Sequence, residues 1–150
     1  MANPLSSFLR KLKYGDDVIV VSGLPRSGTS MMMKMLDAAA LPIMTDNERA
    51  ADEDNPKGYF EYARVKDLKD EADKSWVREA RGQVLKVISH LLETLPDENF
   101  YHVILMRRDL DEIIASQNKM LERRGEENQV ADSTVKEAYI RHLVDIRYMV

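Results

Sequence analysis

A chain of 150 residues with a formal net charge of −4 is long enough for one domain with a real core and short for two. The acidic balance gives no electrostatic footprint for nucleic acid, and the absence of cysteine excludes disulfides and thiolate metal sites. Three scattered histidines lack metal-ligand spacing, no apolar run is long enough to span a bilayer, and Met1 to Lys13 has no signal-peptide core. The expectation is a soluble cytoplasmic protein with no metal, no nucleic acid and no membrane among its partners.

In chain order, Leu5, Phe8, Leu9 and Leu12 come first at helical spacing, decorated by Arg10, Lys11 and Lys13 and closed by a turn at Tyr14-Gly15-Asp16-Asp17. A helix docked on the domain is the simpler reading and is preferred to a membrane-binding one. Val18 to Val21 then read as a buried strand, Thr29 to Ala40 as a helix, and Gly23 to Gly28 as the loop between them. A strand that passes through a glycine-bounded loop into a helix makes a phosphate cradle, because the unpaired amides of the first helical turn point at the anion. Gly23 and Gly28 have the Walker A spacing and Ser30 stands where its Ser or Thr would, but Thr29 replaces the lysine that nucleoside triphosphatases use. Such a loop suits a smaller anionic group, with Arg26 as the nearby cation.

The string Pro25-Arg26-Ser27-Gly28-Thr29-Ser30 resembles the 5′-phosphosulfate loop of sulfotransferases, whose sulfuryl donor is 3′-phosphoadenosine-5′-phosphosulfate (PAPS). The run Met31-Met-Met-Lys-Met-Leu-Asp-Ala that follows looks like the corresponding helix of protein-tyrosine and carbohydrate sulfotransferases. Met32, Met35, Leu36 and Ala39 line one face of that helix and Met31 and Met33 fill others, so burial on most sides is expected.

Leu41 to Met44 read as a short strand running into a polar loop with five carboxylates before Pro56 and Glu61 after it, a candidate acceptor-side loop. In tyrosylprotein sulfotransferases a glutamate at about this distance after the phosphate loop is the base; counting from Pro25 puts Asp46 there, with Glu48 close by, although the identity is not matched. The stretch from Asn55 to Glu61 resembles a segment common in bacterial sulfotransferase-like proteins. Tyr62 to Arg81 then read as a helix with Val65, Leu68, Ala72, Trp76 and Ala80 towards the core, ended by Gly82.

Val84 to Ile88 read as a second buried strand, with His90 at its carboxyl end, where a neutral imidazole is a natural base for a hydroxyl. The stretch resembles the Lys-Thr-His segment of cytosolic sulfotransferases, in which the lysine assists the transferring group and the histidine is the base. Lys86 and His90 are here four apart rather than two, and Lys86 is expected either in the packing or along the sheet.

Val103 to Met106 form a third strand, and Asp109 with Glu112 has capping-box spacing for the helix that follows, ending near Arg124. The resemblance implies that the donor's 3′-phosphate is gripped by an arginine at this strand end and a serine eight residues on, a spacing that Arg108 and Ser116 have. Leu110 stands where the family often has proline. Arg107, Arg123, Arg124 and Arg141 are read as surface charges, any of which could meet the acceptor. A last helix, capped by Asp132 or Ser133, repeats Val135, Tyr139, His142, Ile146 and Met149.

The expected fold is α/β, a P-loop-type three-layer αβα arrangement with a central parallel sheet, forming a single domain over residues 1–150. Sulfotransferases usually continue into another strand and a closing segment, so the resemblance implies a piece or a reduced version. The implied function is metal-independent transfer of a sulfuryl group from PAPS to a hydroxyl or amine of a small-molecule, carbohydrate or protein acceptor. Pro25 to Ser30, Arg108 and Ser116 would hold the donor, Lys86 would assist, and the base would come from His90, Asp46, Glu48 and Glu61. An ATP-dependent P-loop phosphotransferase and a non-catalytic nucleotide-binding or interaction domain are the alternatives.

Overall fold

The computed structural model describes residues 4–46, 58–126 and 128–148. Its centre is an open parallel sheet of three strands, β1 (Val18–Gly23), β2 (Val84–Lys86) and β3 (Tyr101–Met106), in the order β2-β1-β3. Ile19 pairs with Val84 and Val21 with Lys86 on one side of β1, while Val18 pairs with Tyr101 and Gly23 with Met106 on the other. The expected strand at Leu41 to Met44 is reduced to a single parallel bridge from Ile43 to Val84. The third strand begins two residues earlier than expected, and the second ends at Lys86, although the Val87 amide still donates to the Val21 carbonyl.

Alternation along the strands divides the core between the two faces of the sheet. Val18, Val20, Leu85 and Val87 pack with Leu68, Trp76, Val77 and Leu92 on one face. Val21 and Val84 pack with Met33 on the other, joined by the half-buried Met32 and Leu36 of α2 (Thr29–Ala38). The layout is α/β and compatible with an αβα arrangement. The helix α2 is buried on one side only: Met33 is fully buried, whereas Met31 and Met35 are more than half exposed, because a single sheet face covers it.

The residues expected as one helix from Tyr62 to Arg81 form two short 3₁₀ turns, Ala63–Asp67 and Ser75–Ala80. Val65, Leu68, Trp76 and Ala80 are buried as the periodicity requires, but Ala72 is exposed. Side chains have taken over the backbone here: Asp73 accepts from the Ser75 amide and Asp46 from the Ala63 amide, local bonds that compete with a continuous helix. Trp76 is a core residue whose indole N–H donates to Glu71, 2.7 Å away.

Two helices complete the structure, α3 (Leu110–Arg123) and α4 (Asp132–Arg147). Asp109 caps α3, accepting from the amides of Asp111 and Glu112. Neither expected residue caps α4; Ala131 occupies that position, and the Asp132 carboxylate accepts from Asn118 instead. Ile146 carries α4 into the core, and Met149 lies outside the described residues.

The leading helix α1 (Pro4–Tyr14) forms where its spacing requires, but its apolar stripe does not dock. Leu5, Phe8, Leu9 and Leu12 are all more than half exposed. Arg10 and Tyr14 meet the domain instead, through Asp17 and the Phe100 ring. No helix among the described residues is long and apolar enough to cross a membrane.

Candidate functional site

The loop that leaves β1 turns through two residues of left-handed backbone before α2 begins. Arg26 and Gly28 both have positive φ, 68° and 100°, and the Ser27 amide closes a turn onto the Leu24 carbonyl. Gly28 is the N-cap of α2 and has no side chain with which to cap it, so the N-cap residue leaves the amides of the first turn to other acceptors such as an anion. Arg26 in the left-handed region is a strained choice for a residue with a Cβ. The turn aims its guanidinium across the molecule, where Nε donates to Ser116 Oγ at 3.0 Å. Arg108 Nη1 in turn donates to the Arg26 carbonyl at 3.2 Å, while its Nε pairs with Glu112. Residues far apart in sequence are thus joined around one loop.

A cavity of about 420 Å³ opens over this loop, a size suited to a small-molecule ligand. Pro25, Arg26, Gly28, Thr29, Ser30, Arg108 and Ser116 all line it. Ser27 does not; its side chain is buried against Gly23, so its contribution is limited to the backbone.

Lys86 enters the same cavity, rather than pointing only into the packing or along the sheet. As the residue two after Val84 it shares the α2 face of the sheet, and its Nζ reaches Ser30 Oγ at 3.0 Å and the Tyr59 carbonyl at 2.8 Å. Glu61 Oε1 lies 3.7 Å from the same ammonium. The side chain is 8% exposed, so these oxygens do the work of water in solvating the charge. Phe60 has φ 51°, a rare backbone state for a bulky residue, in the stretch that presents Tyr59 and Glu61 to Lys86.

Two of the remaining candidate bases, Asp46 and His90, are elsewhere. Asp46 does not line the cavity and caps the Ala63 turn with its carboxylate. Glu48 lies outside the described residues. His90 also lies off the lining: its ring stacks on that of His142, with centroids 3.7 Å apart and planes 2° from parallel, and His142 in turn bonds Ser89 Oγ. The reason is geometric, since the chain turns into a 3₁₀ segment at Ser89 and presents His90 to α4.

Burial holds both rings below the ordinary histidine range, and for His142 the neighbouring His90 adds to this, while Glu93 opposes it in both and Asp145 in His142. The unfolded chain therefore takes up protons first. The pair's contribution is fully present above the unfolded value of 6.5 and falls with pH below it, levelling off beneath the folded values. Urea midpoints are expected to drop between pH 7.5 and 5.5, and more steeply than in His90→Gln/His142→Gln; equal slopes would show that the pair does not titrate with folding.

The cavity also includes residues with no sequence signal of their own: Tyr59, Gln117, Met120 and Arg124. Ser116, Met120 and Arg124 are spaced by four along α3, so the position of Ser116 implied the other two. Arg124, read as a surface charge, belongs to this lining. No family model, curated protein or solved structure matches the chain.

Proposed function

We propose that this chain is a PAPS-dependent sulfotransferase of P-loop type, acting on an acceptor hydroxyl or amine. The observation that carries the reading is the meeting of Arg26, Arg108 and Ser116 with the loop amides and Lys86 around one cavity. The residues suit the donor's two anionic ends: an uncapped helix N-terminus and Arg26 for the 5′ group, and an arginine fork with a hydroxyl for the 3′-phosphate. PAPS, when bound, supplies the activated sulfuryl group.

The loop amides and Arg26 stabilise negative charge that grows on a leaving phosphate oxygen, a task of positioning and preorganised electrostatics. Lys86 donates to Ser30 Oγ, so the hydroxyl proton of Ser30 is turned to another acceptor, which an anion in the cradle provides. Glu61 is the base we assign, because it alone of the candidates considered, among the described residues, lines the cavity. It takes the acceptor proton at its carboxylate, beside the ammonium of Lys86.

A phosphotransferase using ATP and magnesium is the weaker reading. Thr29 stands at the lysine position, and the Lys86 ammonium sits 3.0 Å from the hydroxyl that would face a magnesium ion, where two cations would repel.

Calorimetric titration with adenosine 3′,5′-bisphosphate beside ATP with magnesium tests the reading. Preference for the bisphosphate is expected, with a loss of about tenfold or more in Arg108→Ala, the order of a charge-assisted bond. Glu61→Gln should retain bisphosphate binding and lose transfer. Preference for ATP would overturn the assignment in favour of a kinase, and binding of neither would leave an interaction domain.

A further inference from the structure

The helix α1 is built the wrong way round for a helix that serves the core. An amphipathic helix of a globular protein turns its apolar stripe inward. Here Leu5, Phe8, Leu9 and Leu12 are 62%, 60%, 56% and 69% exposed. The polar side is the one that touches the domain: Arg10 donates to Asp17 at 3.1 Å and lies 4.2 Å over the Phe100 ring, and the Tyr14 ring sits 6.4 Å from that of Phe100. At about 100° per residue the four apolar side chains cover an arc of about 100°, with Lys11 and Lys13 on its two margins and Arg10 and Tyr14 opposite.

We propose that α1 is a membrane-surface helix, whose exposed face of Leu5, Phe8, Leu9 and Leu12 inserts into an anionic bilayer while Arg10 and Tyr14 hold it to the domain. Charge singles out this occupant. The helix carries Arg10, Lys11 and Lys13 and no acidic residue, in a chain whose net charge is −4. Its two lysines flank the apolar arc, where their stems follow the apolar surface and their ammonium groups reach lipid phosphates. Lys11 does pair with Asp16 at 2.8 Å, but both side chains are mostly exposed and such a pair holds weakly.

A second copy of the chain suits this face poorly. Two such helices would bring lysine margins of like charge together, and four half-exposed side chains cover far less than the roughly 800 Å² per partner of a stable interface. A bilayer sets no minimum area, and affinity then rises with buried apolar surface and with the anionic lipid content.

The test is sedimentation of the full chain with vesicles of pure phosphatidylcholine and of phosphatidylcholine with roughly one-third phosphatidylserine. Partitioning into the anionic vesicles is expected to be about tenfold or more stronger than into the neutral ones, and to weaken as salt is raised. Phe8→Ser/Leu9→Ser should reduce it by about tenfold or more without lowering the melting temperature, since both side chains are exposed. Lys11→Gln/Lys13→Gln should lose the preference for anionic lipid and keep the fold. Failure to sediment with either vesicle would overturn the proposal, as would equal binding to both. A dimer in light scattering that Phe8→Ser/Leu9→Ser dissolves would assign the face to a second copy instead.

Discussion

On the proposed function, replacing Lys86 by methionine is expected to reduce sulfuryl transfer by about 10²–10³, the cost of removing one preorganised charge from a transition state. The stem of the side chain keeps its place between the sheet and α2, but three oxygens lose their cation. Ser30 Oγ and the Tyr59 carbonyl lose bonds of 3.0 and 2.8 Å, and the Glu61 carboxylate loses the ammonium 3.7 Å away. Stability should fall as well, by about 1–3 kcal/mol for the buried bonds lost. Affinity for adenosine 3′,5′-bisphosphate should fall much less, because Arg108 and Ser116 are untouched. Turnover measured beside calorimetry separates the two effects. A variant that turns over within tenfold of the parent would reduce Lys86 to a structural cation.

Gly23→Ala carries the second large effect, on stability and binding together. Its new Cβ would stand 2.5 Å from Ser27 Oγ and 2.8 Å from the Met106 carbonyl, and φ at this residue is 154°. The Met106 oxygen belongs to β3, paired with Gly23 across the sheet, so relief requires the loop or the strand to move. A loss of about 2–3 kcal/mol is expected from overpacking and backbone strain, and the bisphosphate affinity of the remaining folded protein should drop tenfold or more. Gly125→Ala is the control: φ there is 69°, with nothing within 4 Å of the added atom. It should cost about 1 kcal/mol and leave binding unchanged. Denaturant unfolding of both variants decides the matter; equal losses would mean that the close approach at Gly23 has no energetic weight.

The parts of the site that were legible in the sequence are those fixed by local pattern. Val18 to Val21 announced a buried strand and the two glycines announced the loop, while local pattern placed Arg108 at a strand end and Ser116 two turns into a helix and only the resemblance implied that the two act together. Lys86 was half legible: alternation from Val84 fixes its face of the sheet, but not the oxygens that receive it. Nothing in the sequence set Glu61 above the other acids or pointed to the Tyr59 carbonyl, since their approach accompanies a left-handed backbone at Phe60, which side-chain chemistry does not advertise. The place of His90 was not legible, because position after a strand says nothing about which neighbour the chain turns towards, and α4 supplies a second imidazole. The stretch from Tyr62 to Arg81 had the apolar spacing of a helix and the acidic side chains that undo one. The stripe of α1 had the right period and no indication of which side the domain would take.

The central position of β1 ties the cradle to the order in which the chain organises itself. Its neighbours on the two sides, β2 and β3, both come from much later in the sequence, with Val18 against Tyr101 and Ile19 against Val84. Contacts of such long sequence separation close slowly, because the intervening chain loses its freedom before any pairing rewards it. The loop after β1 therefore has both flanks in place only when β2 and β3 have both paired. Arg108 cannot reach the Arg26 carbonyl in any partly assembled form that lacks β3, so the cradle is completed only when the whole sheet is. On the proposed function, a nucleotide bound there would favour the fully assembled chain by mass action.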